Sequence, residues 1–276
     1  MTTERIIRGL AAVATAAALT STGQASSALA ELRVCADPNN LPFSNQRLEG
    51  FENAIAAVVA KDLNATVHYT WMPDRRGFIR RTLKAHQCDV VMGVPSEFDM
   101  VLATKPYYRS SYVFVYRTSR HLQLQSFDDP VLRQLTIGLH ESSQDGSNQP
   151  PAQALARRGI VSGIVGFRMF DVDSVENPPG KIIEAVAAGD IDVAIVWGPF
   201  GGFYAQRQAT PLEVVPISPA VDSPSLPFTY DVSIGVRRGD EAFKKQIDEI
   251  LDRRRAEIEK ILRDYGVPLV KDAKEI

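Results

Sequence analysis

Apolar and polar positions alternate at two periods along this chain, and the switches between them mark out its elements. Leu32-Arg-Val-Cys-Ala36 reads as a strand, and from Phe51 to Leu63 the residues Phe51, Ile55, Val58, Val59 and Leu63 recur at helical spacing. Val67–Trp71 returns to the strand period, Gly77–Ala85 reads as a helix with Phe78, Ile79 and Leu83 inward, and Cys88–Gly93 and Tyr112–Tyr116 read as strands. A second series follows: strand Leu135–Leu139, a polar loop to Pro151, a helix ending before Gly159, strand Gly166–Phe170, a helix over Gly180–Ala188 and strand Ile191–Trp197. Val232–Val236 is one more strand. In the last element, Phe243, Ile247, Ile250, Leu251, Ile258, Ile261 and Leu262 form the apolar stripe of a helix. Asp240 caps it, and Gly266 with Pro268 beyond stops it.

Two successive series of strands and helices predict an α/β protein of two lobes, each a mainly parallel sheet flanked by helices. That order of elements resembles the type II periplasmic binding proteins, whose two-lobed fold is expected here. Lobe 1 is expected over residues 31–117 plus 229–276, and lobe 2 over 118–228. Parallel sheets present ligand sites outside the carboxyl ends of their strands. The relevant loops are therefore Asp37–Ser44, Val94–Glu97, His140–Asn148 and Trp197–Phe203, and the cleft between the lobes is the expected site.

The first thirty residues read as an export leader. Arg5 and Arg8 precede the apolar run Leu10–Leu19, and Ala28-Leu-Ala30 forms a small-residue cleavage pattern. A run of about ten residues is half of what a membrane span requires. A soluble, monomeric periplasmic protein beginning near Glu31 is expected. In that oxidising compartment Cys35 and Cys88, the two cysteines of the chain, read as one disulfide. Two isolated thiols lack the spacing of a metal site or of a C-x-x-C redox pair.

Composition removes further classes. The formal net charge is −2, so no basic excess points to nucleic acid, and Arg253-Arg-Arg255 reads as the solvated face of the last helix. No nucleophile elbow, H-E-x-x-H, P-loop or G-x-G-x-x-G is present. The four histidines His68, His86, His121 and His140 are scattered; His140 with Glu141 and Asp145 is the one acid–base cluster at a cleft loop. Asp171-Val-Asp173 with Glu176 lacks the glycine and final glutamate of a calcium loop. A non-enzymatic binding protein with no cofactor and no metal is expected.

A specific resemblance emerges from the loops and their flanks. Leu32–Ser44, Gly50-Phe-Glu-Asn53, Arg75-Arg-Gly-Phe78, Cys88–Pro95, Lys105-Pro-Tyr-Tyr-Arg-Ser110, Pro150–Gly159, Asp192–Pro199, Phe228–Gly239 and Tyr265-Gly-Val-Pro268 together resemble the J-type (MxaJ/XoxJ) periplasmic proteins associated with pyrroloquinoline-quinone (PQQ) methanol dehydrogenases. The resemblance covers nearly the whole chain after the leader. It implies a partner, the catalytic subunit of a PQQ-dependent methanol dehydrogenase. The alternative is a receptor delivering a non-amino-acid organic ligand to an ABC-type importer.

Amino-acid binders of this superfamily clamp the solute carboxylate with an Arg after the third strand and pair its ammonium with an Asp after the last strand of lobe 2. Counting from Pro106-Tyr107 and from Asp192, those positions hold Glu97 and Trp197. Both anchors are replaced, which makes a free amino acid a poor candidate. The remaining cleft candidates are Asn39, Asn40, Phe43, Trp71, Pro95, Tyr107, Tyr108 and Trp197, joined by Glu97, His140 and Asp145. Aromatic walls suit a flat organic ligand or a docked protein segment; the same aromatics would also serve simply to pack the lobe interface. Arg75, Arg76, Arg80 and Arg81 offer a basic helix face to an acidic partner, or are simply solvated.

Overall fold

The computed structural model describes residues 30–141, 149–169, 178–222 and 225–271. The leader up to Leu29, Asp145 and the Asp171–Glu176 stretch fall outside these. Lobe 1 is built from β1 (Ala30–Ala36), α1 (Phe51–Asp62), β2 (Ala65–Trp71), α2 (Phe78–Arg81) and β3 (Val90–Pro95). The long strand β4 (Tyr108–Arg117) leads to β5 (Ile137–His140), α3 (Pro150–Arg157), β6 (Ile164–Phe167), α4 (Lys181–Ala188), β7 (Val193–Trp197), α5 (Gly198–Ala205) and β8 (Leu212–Pro216). The chain returns through β9 (Thr229–Val236) and ends in α6 (Glu241–Asp264).

These strands form one continuous sheet in the order β2-β1-β3-β9-β4-β7-β5-β6, with β8 also on β4. β4 makes the sheet continuous. Its first residues, Tyr108–Ser111, pair antiparallel with β9, and Tyr112–Tyr116 pair with β7. The change of partner therefore falls between Ser111 and Tyr112, inside the strand. β8 follows β9 along the same strand, pairing with Val113–Arg117; a five-residue strand ending in proline, Leu-Glu-Val-Val-Pro, was not distinguishable from loop in the sequence.

Apolar faces explain the layers. In lobe 1, Phe51, Ile55 and Val59 of α1 meet Ile247, Ile250, Ile258 and Leu262 of α6 over the sheet residues Leu32, Val34 and Ile234. Each such fully buried side chain stabilises by about 1.5–3 kcal/mol. The Asp240 carboxylate accepts from Phe243 N (3.3 Å) and caps α6 as its sequence position predicts. At the far end of α1, Arg253 and Arg254 of α6 both bind Asp62, each at 2.6 Å. Lobe 2 covers one sheet face with Leu132, Leu155 and Phe228 and the other with Ile182, Ile183, Val186 and Phe203.

Three expectations are corrected. The helix expected over 77–85 is one turn, Phe78–Arg81. Thr82 turns its hydroxyl back onto the Phe78 carbonyl (2.7 Å) and the chain leaves the helix there; Leu83 still reaches the core. Cys88 does not open β3, which starts at Val90. It lies just ahead of the strand and is joined to Cys35 with a Cα–Cα distance of 5.5 Å, within ordinary disulfide reach. β1 and β3 are parallel neighbours, Cys35 opposite Val91, as the bridge requires.

The third correction matters most for the cleft. Trp197–Phe203, expected as a loop, is mostly the helix α5. Its Gly-Pro-Phe-Gly-Gly start reads as loop because each glycine disfavours a helix by roughly 0.5–1 kcal/mol. Packing makes them necessary: a Cβ on Gly201 would lie 2.6 Å from Val113 Cγ2, and one on Gly202 would lie 1.8 Å from the Gly266 carbonyl oxygen. Pro199 sits in the first turn, where its missing N–H costs nothing.

Candidate functional site

The loop after β1 is tied down by its own polar groups. Asp37 accepts from the backbone N–H of Asn39 (2.8 Å) and of Asp74 (2.7 Å), so it joins this loop to the one after β2. Asn53 Oδ1 accepts from Asn45 N and Gly50 N (3.2 and 3.1 Å). Gly50 has no room for a side chain, since its Cβ would stand 1.9 Å from the Phe43 carbonyl oxygen. The result is a rigid bend that projects Leu41–Phe43 toward lobe 2.

Leu41–Phe43 bridges the lobes. The Leu41 carbonyl accepts from the Tyr204 hydroxyl (3.0 Å), and Phe43 packs between Phe51 of α1 and Phe200 of α5, with ring centroids 5.2 and 5.1 Å away. His140 lies edge-on to Phe200 at 5.5 Å. It is only 5 % exposed, its Nε2 donates to the Pro179 carbonyl (3.1 Å), and burial pushes its pKa down to about 4. His140 is therefore a neutral core histidine at neutral pH, anchored through Nε2. Glu141 lies against Gly166, and Asp145 lies outside the described residues.

The other aromatics join the same interface. Trp197, the residue before α5, packs against Tyr112 (5.5 Å) and Tyr230 (5.8 Å), and its indole N–H faces the Tyr108 hydroxyl. Tyr108 in turn meets Phe51 edge-on at 5.9 Å. Trp71 stacks on Tyr69, 4.6 Å apart and 12° from parallel. Phe43, Tyr108 and Trp197 thus pack the contact between lobes. Asn39, Pro95 and Glu97 are exposed and Asn40 is half-buried; Glu97 stands in the turn after β3. The arginines do not form one helix face: Arg75 is half-buried ahead of α2, and only Arg76, Arg80 and Arg81 are exposed.

Sequence reasoning missed the groups that stand out physically. Glu52, in the first turn of α1, is 9 % exposed and has no hydrogen-bond or ion-pair partner among the described residues. Its Oε1 lies where a Gly93 Cβ would be, 2.0 Å away, so the carboxyl crosses β3 at its one side-chain-free position. Burial, then the neighbouring Asp74, push its pKa up to about 8. Asp74 is itself raised to about 6 by desolvation and by Asp37. Its surface is nonetheless open to solvent. Beside Glu52, the Tyr107 hydroxyl is buried without a partner, as are Asn53 Nδ2 and Asn40 Oδ1. The Gly93 amide neighbours the Tyr107 hydroxyl and the Tyr69 hydroxyl neighbours Asn53, neither closing a hydrogen bond on these atoms. No sequence signal marked Glu52, since an acidic residue in the first turn of a helix is ordinary.

Fold and cleft together define a solute-binding protein, and the sequence matches the bacterial extracellular solute-binding proteins, family 3, over residues 32–268. The chain belongs to that family. Within it, the chain is 31 % identical over 251 residues to protein MoxJ of Methylorubrum extorquens, covering 87 % of this chain and 81 % of that one. It is 29 % identical to protein MoxJ of Paracoccus denitrificans, covering 92 % and 95 %. The structure is similar to the crystal structure of the periplasmic binding protein XoxJ from Methylobacterium extorquens AM1 (35 % identity, TM-score 0.72, 87 % of this chain and all of that one). It is also similar to that of MxaJ from Methlophaga aminisulfidivorans MPT (27 % identity, TM-score 0.76, the same coverage). These similarities bear out the resemblance read from the loops. No helix among the described residues is long and apolar enough to cross a membrane.

Proposed function

We propose that this protein is an exported, periplasmic accessory protein of a quinoprotein methanol dehydrogenase, built on a solute-binding scaffold and acting by binding rather than catalysis. The observation that carries this is the similarity to MoxJ, MxaJ and XoxJ proteins over most of the chain. The residues at the two solute-anchor positions support it: Glu97 is exposed and Trp197 is used in packing. A scaffold released from amino-acid capture keeps a cleft between two lobes, and such a cleft is able to hold a loop or terminus of another protein. The exposed Arg76, Arg80 and Arg81, with Arg75 behind them, offer docking charge near the Asp74 lip. Association through them would weaken with salt, since exposed charges are screened beyond about 8 Å at physiological ionic strength.

Membership of a solute-binding family favours a second reading, a receptor for an importer of an organic ligand. Deleting the gene and assaying methanol dehydrogenase separates the two. Loss of active enzyme, with normal transcript and cofactor, is expected. Undiminished activity beside failure to import one solute would overturn the accessory role in favour of the receptor.

A further inference from the structure

The lobe 1 side of the cleft holds carboxyl groups that no cation among the described residues pairs with. Among the described residues, Glu52 and Asp74 pair with no Lys, Arg or His, and Asp74 acts on Glu52 as a like charge. A buried, unpaired carboxyl beside an unused hydroxyl is costly, because each group has given up water without a replacement. Tyr107 is 8 % exposed and its hydroxyl is unpartnered, so it is free to accept a hydrogen bond. The surroundings are aromatic: Tyr69 stacked on Trp71 and Tyr107 edge-on to Tyr108 at 5.0 Å.

We propose that Glu52, with Asp74 at the mouth and the Tyr107 hydroxyl beside it, holds an organic ammonium group in the cleft. The inference deepens the reading of the cleft as a binding site and rests on it. An ammonium supplies several N–H donors and one positive charge, which matches two carboxyls and a phenol oxygen. Tyrosine and tryptophan rings add attraction for a cation that a carboxylate alone would not provide. A bare metal ion fits less well: no three His, Cys, Asp or Glu among the described residues converge to ligate one, and Asp37 is already used by two backbone N–H groups. The ammonium has two sources, a free amine or a lysine of a docked protein segment. The site chemistry is shared.

Proton linkage gives the site a signature. The groups facing Glu52 are Tyr69 on β2, Asp74 beyond that strand, and Tyr107 and Tyr108 at the start of β4. α6 brings its arginines only to the far end of α1, at Asp62. Without ligand, Glu52 keeps its proton at neutral pH; a bound cation displaces it. Affinity should therefore rise about tenfold per pH unit between about pH 6 and 8.

The test is calorimetric titration of the purified protein with n-butylammonium chloride, and separately with the blocked tripeptide acetyl-Gly-Lys-Gly-amide, at several pH values. Saturable binding with that pH slope is expected. Glu52→Gln should weaken binding at least tenfold and remove the slope; Asp74→Asn should weaken it by a smaller factor and keep the slope. A peptide bound much more tightly than the amine assigns the ammonium to a protein segment, and the reverse assigns it to a free amine. Absence of saturable binding by both probes, or undiminished affinity in Glu52→Gln, overturns the proposal. Should Glu52→Gln not fold, the pH slope of the unaltered protein and the Asp74→Asn affinity carry the same decision. Amine binding is read on the isolated protein and dehydrogenase activity in the deletion strain, so either reading can fail alone.

Discussion

The two walls of the cleft treat their polar groups in opposite ways. On the lobe 2 wall, His140 is bonded to Pro179, Tyr204 to Leu41, and the rings of Phe200, Phe203 and Trp197 pack on one another's neighbours. On the lobe 1 wall, among the described residues, Glu52 has no partner, and the Tyr107 hydroxyl, Asn40 Oδ1 and Asn53 Nδ2 are buried and unbonded. Folding alone accounts for these groups of the first wall, since His140 and Tyr204 are bonded within the fold. It does not account for the second, because a sequence selected only for stability would replace Glu52 with an apolar residue. The contrast teaches where to look for a ligand: on the floor of lobe 1, where polar groups are left waiting, and not among the aromatics that close the interface.

The lobes also owe their rigidity to different causes, and the largest expected effect tests this. The floor sits on a sheet stapled by Cys35–Cys88, a bridge that closes a loop of 53 residues. Chain entropy values that closure at about 4 kcal/mol. Replacing both cysteines by serine should lower stability to urea by about that amount. A loss near zero would mean that packing alone holds the floor, as it holds the other wall. Lobe 2 depends on close contact instead. Gly202→Ala drives a methyl into the Gly266 carbonyl and should cost about 2–3 kcal/mol, measured in the same way. Alanine tolerated at Gly202 would show that α5 and the tail after α6 are not in fixed register.

The sequence made lobe 1 and its long elements legible because their periodicity is strong: α1, α6 and the strands β1 and β2 lie within a few residues of where the pattern puts them. It failed where the local signal contradicts the packed result. α5 has the composition of a loop because its glycines answer to Val113 and Gly266, which are remote in sequence. β5 and β6 shifted because their ends are set by pairing, Ile137 with Ile164 and His140 with Phe167, and not by the residues that flank them. In the cleft, the aromatics were visible as candidates by type, but type does not say whether a ring lines a space or fills it. Glu52 was invisible for the opposite reason. An acidic residue in the first turn of a helix is ordinary, and only the fold shows that this one is buried, crosses Gly93 and meets no cation.

The smallest effect is also the sharpest comparison, because the two walls should respond to pH with opposite sign. His140 is held neutral in the folded state with a pKa near 4, below its unfolded value of about 6.5. The unfolded chain binds the extra proton, so this wall loses stability as pH falls from about 6.5 toward 4. Glu52 is held protonated up to about pH 8, above its unfolded value of about 4.3. Here the folded chain keeps the proton, and stability is lost as pH rises from about 4.3 toward 8. Between roughly pH 4.3 and 6.5 the two slopes oppose one another; above that Glu52 acts alone. Urea unfolding at neutral and at mildly alkaline pH should therefore show a fall of about 1 kcal/mol, below the ideal slope of about 1.4 kcal/mol per pH unit because the slope fades as pH nears the folded pKa. Glu52→Gln should flatten that alkaline limb and leave the acid limb in place, while His140→Gln should do the reverse. An alkaline limb that survives Glu52→Gln would show that the carboxyl is solvated after all, and the difference between the walls would go with it.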